Sequence, residues 1–180
     1  MHSGDCFLVP GPVRMSEACL QAMATPVMTA RGPEFRQVMA GLNSGLRYAF
    51  NLSPSKPEMK TQSWTGEDGY RVVVVSGSGT AAMEMVIANR FRRNDLVLVP
   101  TNGKFGERVA DICRQFCNVK HLNYEWGRSF DLYELEQQLE RGCYEALLIC
   151  HNETSTGITQ DAEAIEEMLS LIHISEPTRR

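Results

Sequence analysis

The chain has 180 residues, 43% hydrophobic and 22% charged, the balance of one globular domain with a real core. A formal net charge of −4 weighs against nucleic acid as the main partner, and no run of about 18 apolar residues is present that would span a membrane. Six cysteines (Cys6, Cys19, Cys113, Cys117, Cys143 and Cys150) follow no framework spacing and read as reduced core thiols of an intracellular protein, with the cytoplasm the expected compartment.

The first ten residues are too short and too polar for a secretory signal. Residues 1–14 read as an extended arm carrying a rigid Pro10-Gly11-Pro12 turn. Ser16 is placed to cap a helix reaching about Ala24, with Cys19, Leu20 and Met23 expected inward. A loop covers 25–32. Pro33 opens an amphipathic helix over 33–50, where Phe35, Val38, Met39, Leu42, Leu46 and Phe50 repeat at helical spacing. Residues 51–70 hold Pro54, Pro57, Gly66 and Gly69 without periodicity and read as a surface loop or insertion.

From there strand and helix alternate. Val72–Val75 is an apolar β-branched run, the mark of a strand covered on both faces. Ser76-Gly-Ser-Gly-Thr80 turns the chain into a helix over 80–89. Further strands are expected at 95–99, 119–123 and 145–150, and helices at 107–116, 131–142 and from Asp161 to about Met168. Cys113 and Cys117 lie four apart on one of these helices, but no second His or Cys pair accompanies them, so no metal site is expected. The fold class is therefore α/β: three layers, a mainly parallel sheet with helices on both faces.

In such sheets ligands gather at the carboxyl ends of the strands. Three polar, glycine-bearing loops leave those ends, at 76–80, 100–106 and 151–157. The first aims free helix N–H groups outward, beside the hydroxyls of Ser78 and Thr80, and a phosphate would fit there. Turn chemistry alone accounts for the same glycines and serines. The stretch is neither a P-loop nor GxGxxG.

Taken together, Pro10-Gly11-Pro12, Ser76-Gly-Ser-Gly-Thr80 with Glu84, Asn102-Gly-Lys-Phe-Gly106 and His151-Asn-Glu-Thr-Ser-Thr-Gly157 resemble the class V aminotransferases of the serine–pyruvate/alanine–glyoxylate type, in order and spacing over residues 5–168. The resemblance implies the type I fold of pyridoxal-phosphate enzymes. It also implies transfer of an amino group from a small amino acid to a 2-oxo acid, and a homodimer with sites near its interface. It assigns Ser78, Gly79 and Thr80 to the cofactor phosphate, Phe105 to the face of the pyridine ring, and Thr154 to the neighbourhood of the ring's phenolic oxygen. Arg31 matches an Arg common in such proteins, although Ala30 precedes it where they often carry His.

The resemblance further implies that a Schiff-base lysine and a carboxylate for the pyridine nitrogen follow the Thr154 loop. None of Lys56, Lys60, Lys104 and Lys120 matches that lysine, and Lys104 belongs to the Asn-Gly-Lys-Phe loop. Residues 15–168 are thus read as part of a large cofactor-binding domain, inactive by itself. Residues 169–180 are read as a non-native tail that looks like a translated sequencing adapter. The alternatives are another class V enzyme (a desulfurase, lyase or phosphoserine-type transaminase), a nucleotide-binding α/β domain, or a small interaction module.

Overall fold

The computed structural model describes Gly11, residues 13–52, Tyr70 and residues 72–175. The chain divides into two compact units, Met1–Ser76 and Gly77–Arg180.

In the first unit, α1 (Glu17–Met23) starts where expected: the Ser16 Oγ accepts from the Cys19 N–H at 3.3 Å. Its expected inward residues are exposed, and no residue of α1 is buried. Helix α2 (Pro33–Ala49) opens with Pro33 in its first turn. It closes in a Schellman motif: Leu52 N–H donates to the Arg47 carbonyl at 2.8 Å and Asn51 N–H to that of Tyr48 at 3.1 Å. Asn51 adopts φ 53° to allow this. The expected apolar stripe is split, with Phe35, Met39 and Leu46 half-buried and Val38, Leu42 and Phe50 exposed. Periodicity reports which face a helix is suited to bury, not what covers it. The expected insertion at 51–70 falls almost wholly outside the described residues.

The expected strand at 72–75 is a correction. Residues 72–76 carry no regular secondary structure, and Val73 and Val75 are 75% and 57% exposed. β-branched residues favour an extended chain locally, but a strand exists only through its ladder. No described residue supplies one here.

The second unit is built on β1 (Leu96–Thr101), which pairs in parallel with β2 (Asn118–Asn123) on one side and β3 (Ala146–Leu147) on the other. The β3 ladder is continued by Glu145 N–H to the Leu96 carbonyl at 2.8 Å and Leu148 N–H to that of Leu98 at 2.9 Å. Leu96 and Leu98 thus face β3. Pro100, next in that alternation, turns its missing donor to the same side, beyond the last β3 bond, and so is tolerated in a central strand.

The two faces of β1 build two cores. Val97 and Val99 pack with Ile87 and Phe91 of the α3 (Gly79–Arg90) region and with Ala110, Ile112 and Cys113 of α4 (Lys104–Phe116). Leu98 packs on the other side with Leu122, Phe130, Leu135 of α5 (Leu132–Arg141), and Ile165 and Met168 of α6 (Ala162–Ser175). This is the expected three-layer α/β arrangement with helices on both faces.

Several features differ from expectation, and the strand expected at 145–150 is regular only over Ala146–Leu147. Helix α4 begins at Lys104, not Glu107, because its N-terminus is capped from another part of the chain. The loop after β3 contains a small antiparallel hairpin, β4 (Asn152–Glu153) and β5 (Ile158–Thr159), whose turn is closed by Gly157 at φ 75°. Helix α6 runs on to Ser175, and Leu169 packs against the second core. Asp131 caps α5 as expected, accepting from the Glu134 N–H at 3.1 Å. Cys113 and Cys117 are core residues, and no group of three or more metal-ligating side chains occurs among the described residues. Among those residues no helix is long and apolar enough to cross a membrane.

Candidate functional site

Each helix N-terminus leaves backbone N–H groups without an intrahelical partner. In the second unit two such termini matter, those of α3 and α4, and the protein treats them oppositely.

The α4 terminus is filled from within. Gly103 occupies its cap position and has no side chain to offer. Glu153, from the β4–β5 hairpin, takes that role: its Oε2 accepts from Phe105 N–H at 3.0 Å and Gly106 N–H at 2.8 Å. Its Oε1 accepts from the Ser155 N–H at 3.2 Å and the Ser155 hydroxyl at 2.5 Å. Ser155 Oγ in turn accepts from Lys104 N–H at 2.9 Å. Glu153 is fully buried. Burial pushes its carboxyl up, but the Ser155 hydroxyl and the N–H groups of Gly106, Phe105 and Ser155 outweigh this and hold it below the usual carboxylate range. A Cβ on Gly103 would strike the Glu153 side chain, so glycine is required there by close approach.

The α3 terminus is left open. Ser78 caps it, its Oγ accepting from Ala81 N–H at 3.2 Å, and the Ser78 carbonyl accepts from Ala82 N–H. Among the described residues the N–H groups of Gly79 and Thr80 have no partner, and a Cβ on Gly79 would enter open space. Thr80 Oγ1 accepts from Arg108 Nη1 at 3.3 Å. The Arg108 guanidinium carbon also lies 5.0 Å from the centroid of the Phe105 ring.

Between α3, α4 and the end of β3 lies a cleft of about 610 Å³. It lies where the sheet order β2-β1-β3 makes the loops after β1 and β3 diverge, the usual ligand position in such sheets. Its walls are mostly apolar, from Met83, Val86, Val109 and Leu148, with Phe105, His151 and Thr154 among its lining residues. The structure therefore brings Phe105 and Thr154 to one cleft. Ser78, Gly79 and Thr80 do not line it; they stand at the head of the helix that does, and Thr80 is tied to Phe105 through Arg108.

Lys104 does not line the cleft; its side chain is 64% exposed and its Nζ pairs with Glu107 Oε2 at 3.0 Å. Arg31 is exposed in the first unit, where its carbonyl accepts from Arg36 Nη1 at 3.4 Å.

Three residues that organise the site carried no role in the sequence. Glu153 sits inside a motif whose hydroxyls draw attention first. Arg108 stands one turn after Phe105, a relation visible only once α4 is known to start at Lys104. Asn102, fully buried, donates Nδ2 to the Arg128 carbonyl at 2.5 Å and so pins the entry to α4.

The model of the family described as aminotransferase class-V matches residues 48–174. A serine–glyoxylate aminotransferase of Hyphomicrobium methylovorum is 28% identical over 167 residues, covering 91% of this chain and 38% of that protein. The soluble hydrogenase 42 kDa subunit of Anabaena cylindrica is 32% identical over 163 residues, covering 88% of this chain and 38% of that protein. The crystal structure of an alanine–glyoxylate aminotransferase from Nostoc sp. superposes with a TM-score of 0.72 at 31% identity, over 96% of this chain and 43% of that one. The chain thus spans about two-fifths of the length of the curated relatives it matches. With more than half of its residues inside the family match, over a three-layer α/β unit of the kind those structures share, the chain belongs to the class V aminotransferase family.

Proposed function

We propose that this chain carries the phosphate end of a pyridoxal 5′-phosphate site. In the intact protein, that site transfers an amino group from a small amino acid of the serine or alanine type to a 2-oxo acid of the pyruvate or glyoxylate type. The observation that carries the reading is the contrast between the two helix termini. The α4 terminus already holds the Glu153 carboxylate, whereas among the described residues the Gly79 and Thr80 N–H groups of the α3 terminus have no acceptor. An anion belongs at the second, where backbone donors and the helix dipole favour it.

The residues present fit the cofactor. Ser78, Gly79 and Thr80 would hold its phosphate, Phe105 would lie against its ring, and Thr154 would offer a hydroxyl to the ring's phenolic oxygen. Once bound, the cofactor supplies an electron-accepting ring. The apolar wall of the cleft would lie against that ring. The Ser78 hydroxyl proton is free to be donated, because Ser78 uses only a lone pair to cap α3. None of the chain's lysines matches the position of the covalent cofactor link, so the 180-residue chain is proposed to bind without transferring an amino group. The non-native tail expected at 169–180 overlaps the family match, which runs to residue 174, and is not proposed from residue 169; the intact protein is proposed to be a homodimer.

Calorimetric titration of the chain with pyridoxamine 5′-phosphate tests the reading, since that ligand needs no lysine. Binding that weakens in Thr80→Val and Ser78→Ala is the expected result. Binding of NAD or ATP with no response to the pyridoxal compounds would overturn it in favour of a nucleotide domain.

A further inference from the structure

Among the described residues Arg108 is a cation without a carboxylate partner. Among the described residues its neighbour Glu107 is paired with Lys104 at 3.0 Å, and Asp111, one turn on, is paired with Arg114. Arg108 itself makes no ion pair among those residues. It is half-buried, with one donor on Thr80 Oγ1 and its guanidinium against the Phe105 ring. These two groups belong to different helices and to opposite ends of the proposed ligand.

We propose that Arg108 is a positioning residue for the cofactor phosphate. Its guanidinium orients the Thr80 hydroxyl toward the anion and holds the Phe105 ring at the pyridine end of the same ligand. The inference rests on the pyridoxal-phosphate reading and deepens it. Thr80 Oγ1 accepts from the cation, so its own proton stays available to a second acceptor such as an anion at the α3 terminus. A hydroxyl that accepts from a charged donor is itself a stronger donor, because hydrogen bonds in series polarise one another. The positive charge adds to the α3 dipole at the place where a phosphate of nearly two negative charges would sit. Arg also covers one face of Phe105, which fixes the ring plane and leaves the other face for a flat ligand. A lysine could supply the charge but not the planar fork that reaches both groups.

The alternative is a plain latch between α3 and α4. The two ideas separate by ligand. The chain and its Arg108→Met, Arg108→Lys and Thr80→Val variants are titrated with pyridoxamine 5′-phosphate and with unphosphorylated pyridoxamine, alongside their thermal unfolding. Positioning predicts that Arg108→Met weakens the phosphorylated ligand about tenfold, equivalent to about 1.4 kcal/mol, while pyridoxamine changes less than twofold. Arg108→Lys falls between, and in the Thr80→Val background the loss on removing Arg108 shrinks, since the hydroxyl it acts through is gone.

Equal weakening of both ligands with a lowered melting temperature means a latch and overturns the proposal. So does phosphate-dependent binding that Arg108→Met and Arg108→Lys leave unchanged, in which case the cofactor reading stands without Arg108. If the unaltered chain binds neither compound, both the cofactor reading and this inference fall.

Discussion

The backbone of Phe105 and the side chain of Glu153, 48 residues apart in sequence, meet in a 3.0 Å hydrogen bond. That bond joins the loop after β1 to the hairpin after β3. It sets where α4 begins, and with it the position of the Phe105 ring at the cleft.

Removing the carboxylate leaves the N–H groups of Phe105, Gly106 and Ser155 buried or half-buried without their acceptor. At about 1–3 kcal/mol for an orphaned buried group, Glu153→Ala should cost about 3 kcal/mol or more of unfolding free energy. Glu153→Gln should recover part of that, since one amide oxygen still accepts. The pH dependence has a definite sign. The Glu153 carboxyl is held below its usual 4.5, so the native state binds fewer protons than the unfolded chain there. Its contribution is full above that value and is lost as pH falls toward and through the folded pKa. Urea titrations from pH 6 to pH 3 should show a steeper acid loss in the parent than in Glu153→Gln; parallel curves would refute the assignment.

The Glu153 cap also explains what the sequence could and could not disclose. Alternation of apolar runs with helical spacing is local, so β1, β2 and α3 to α5 were legible, and Asp131 and Ser16 announced their own helices. The start of α4 was not. Its cap is a side chain 50 positions beyond Gly103, while Gly103 and Gly106 within Asn-Gly-Lys-Phe-Gly read as loop residues. Gly106 is a glycine within a helix because the Thr101 Cβ and Cα lie 3.2 and 3.3 Å from where its own Cβ would be. Val72–Val75 failed in the opposite direction: its composition states a preference that only a distant partner can satisfy. The family resemblance named Phe105 and Thr154, which the structure places in one cleft, whereas Arg108 depended on a helix boundary the sequence hid.

The cysteines should separate by reactivity. Cys19 and Cys143 are exposed, while Cys113 and Cys117 are buried in the first core. Burial, then the nearby Cys117, pushes the Cys113 thiol up to about 12. At pH 8 its thiolate is therefore on the order of one part in ten thousand. Brief iodoacetamide treatment followed by peptide mass mapping should label Cys19 and Cys143 and spare Cys113 and Cys117 until urea is added. Labelling of Cys113 in the native chain would mean that the α4 face of the sheet is not packed as described.

Val73 and Val75 make the unpaired run a solubility problem, not a source of stability. They are 75% and 57% exposed, so Val73→Thr with Val75→Thr should shift unfolding free energy by no more than about 0.5 kcal/mol. The same pair should reduce light scattering on storage, because an apolar β-branched run whose backbone no described residue pairs is a template for pairing between chains. A loss above about 1.5 kcal/mol in urea would instead show that the run is buried in solution.

Phe105 allows the ring contact to be tested apart from the helix cap, because its backbone N–H, not its side chain, bonds to Glu153. Phe105→Leu keeps the cap and an apolar surface but removes the aromatic face. Stacking is worth about 0.5–1.5 kcal/mol beyond burial, so affinity for pyridoxamine 5′-phosphate should fall about two- to twelvefold. Phe105→Trp, with a larger face, should restore or exceed the parent affinity. Inorganic phosphate, which has no ring, should bind all three chains alike at the α3 terminus. A Leu variant that matches the parent toward the full ligand would place the ring elsewhere in the cleft, while a variant that also loses inorganic phosphate would mean that the side chain supports α4 and not the ligand.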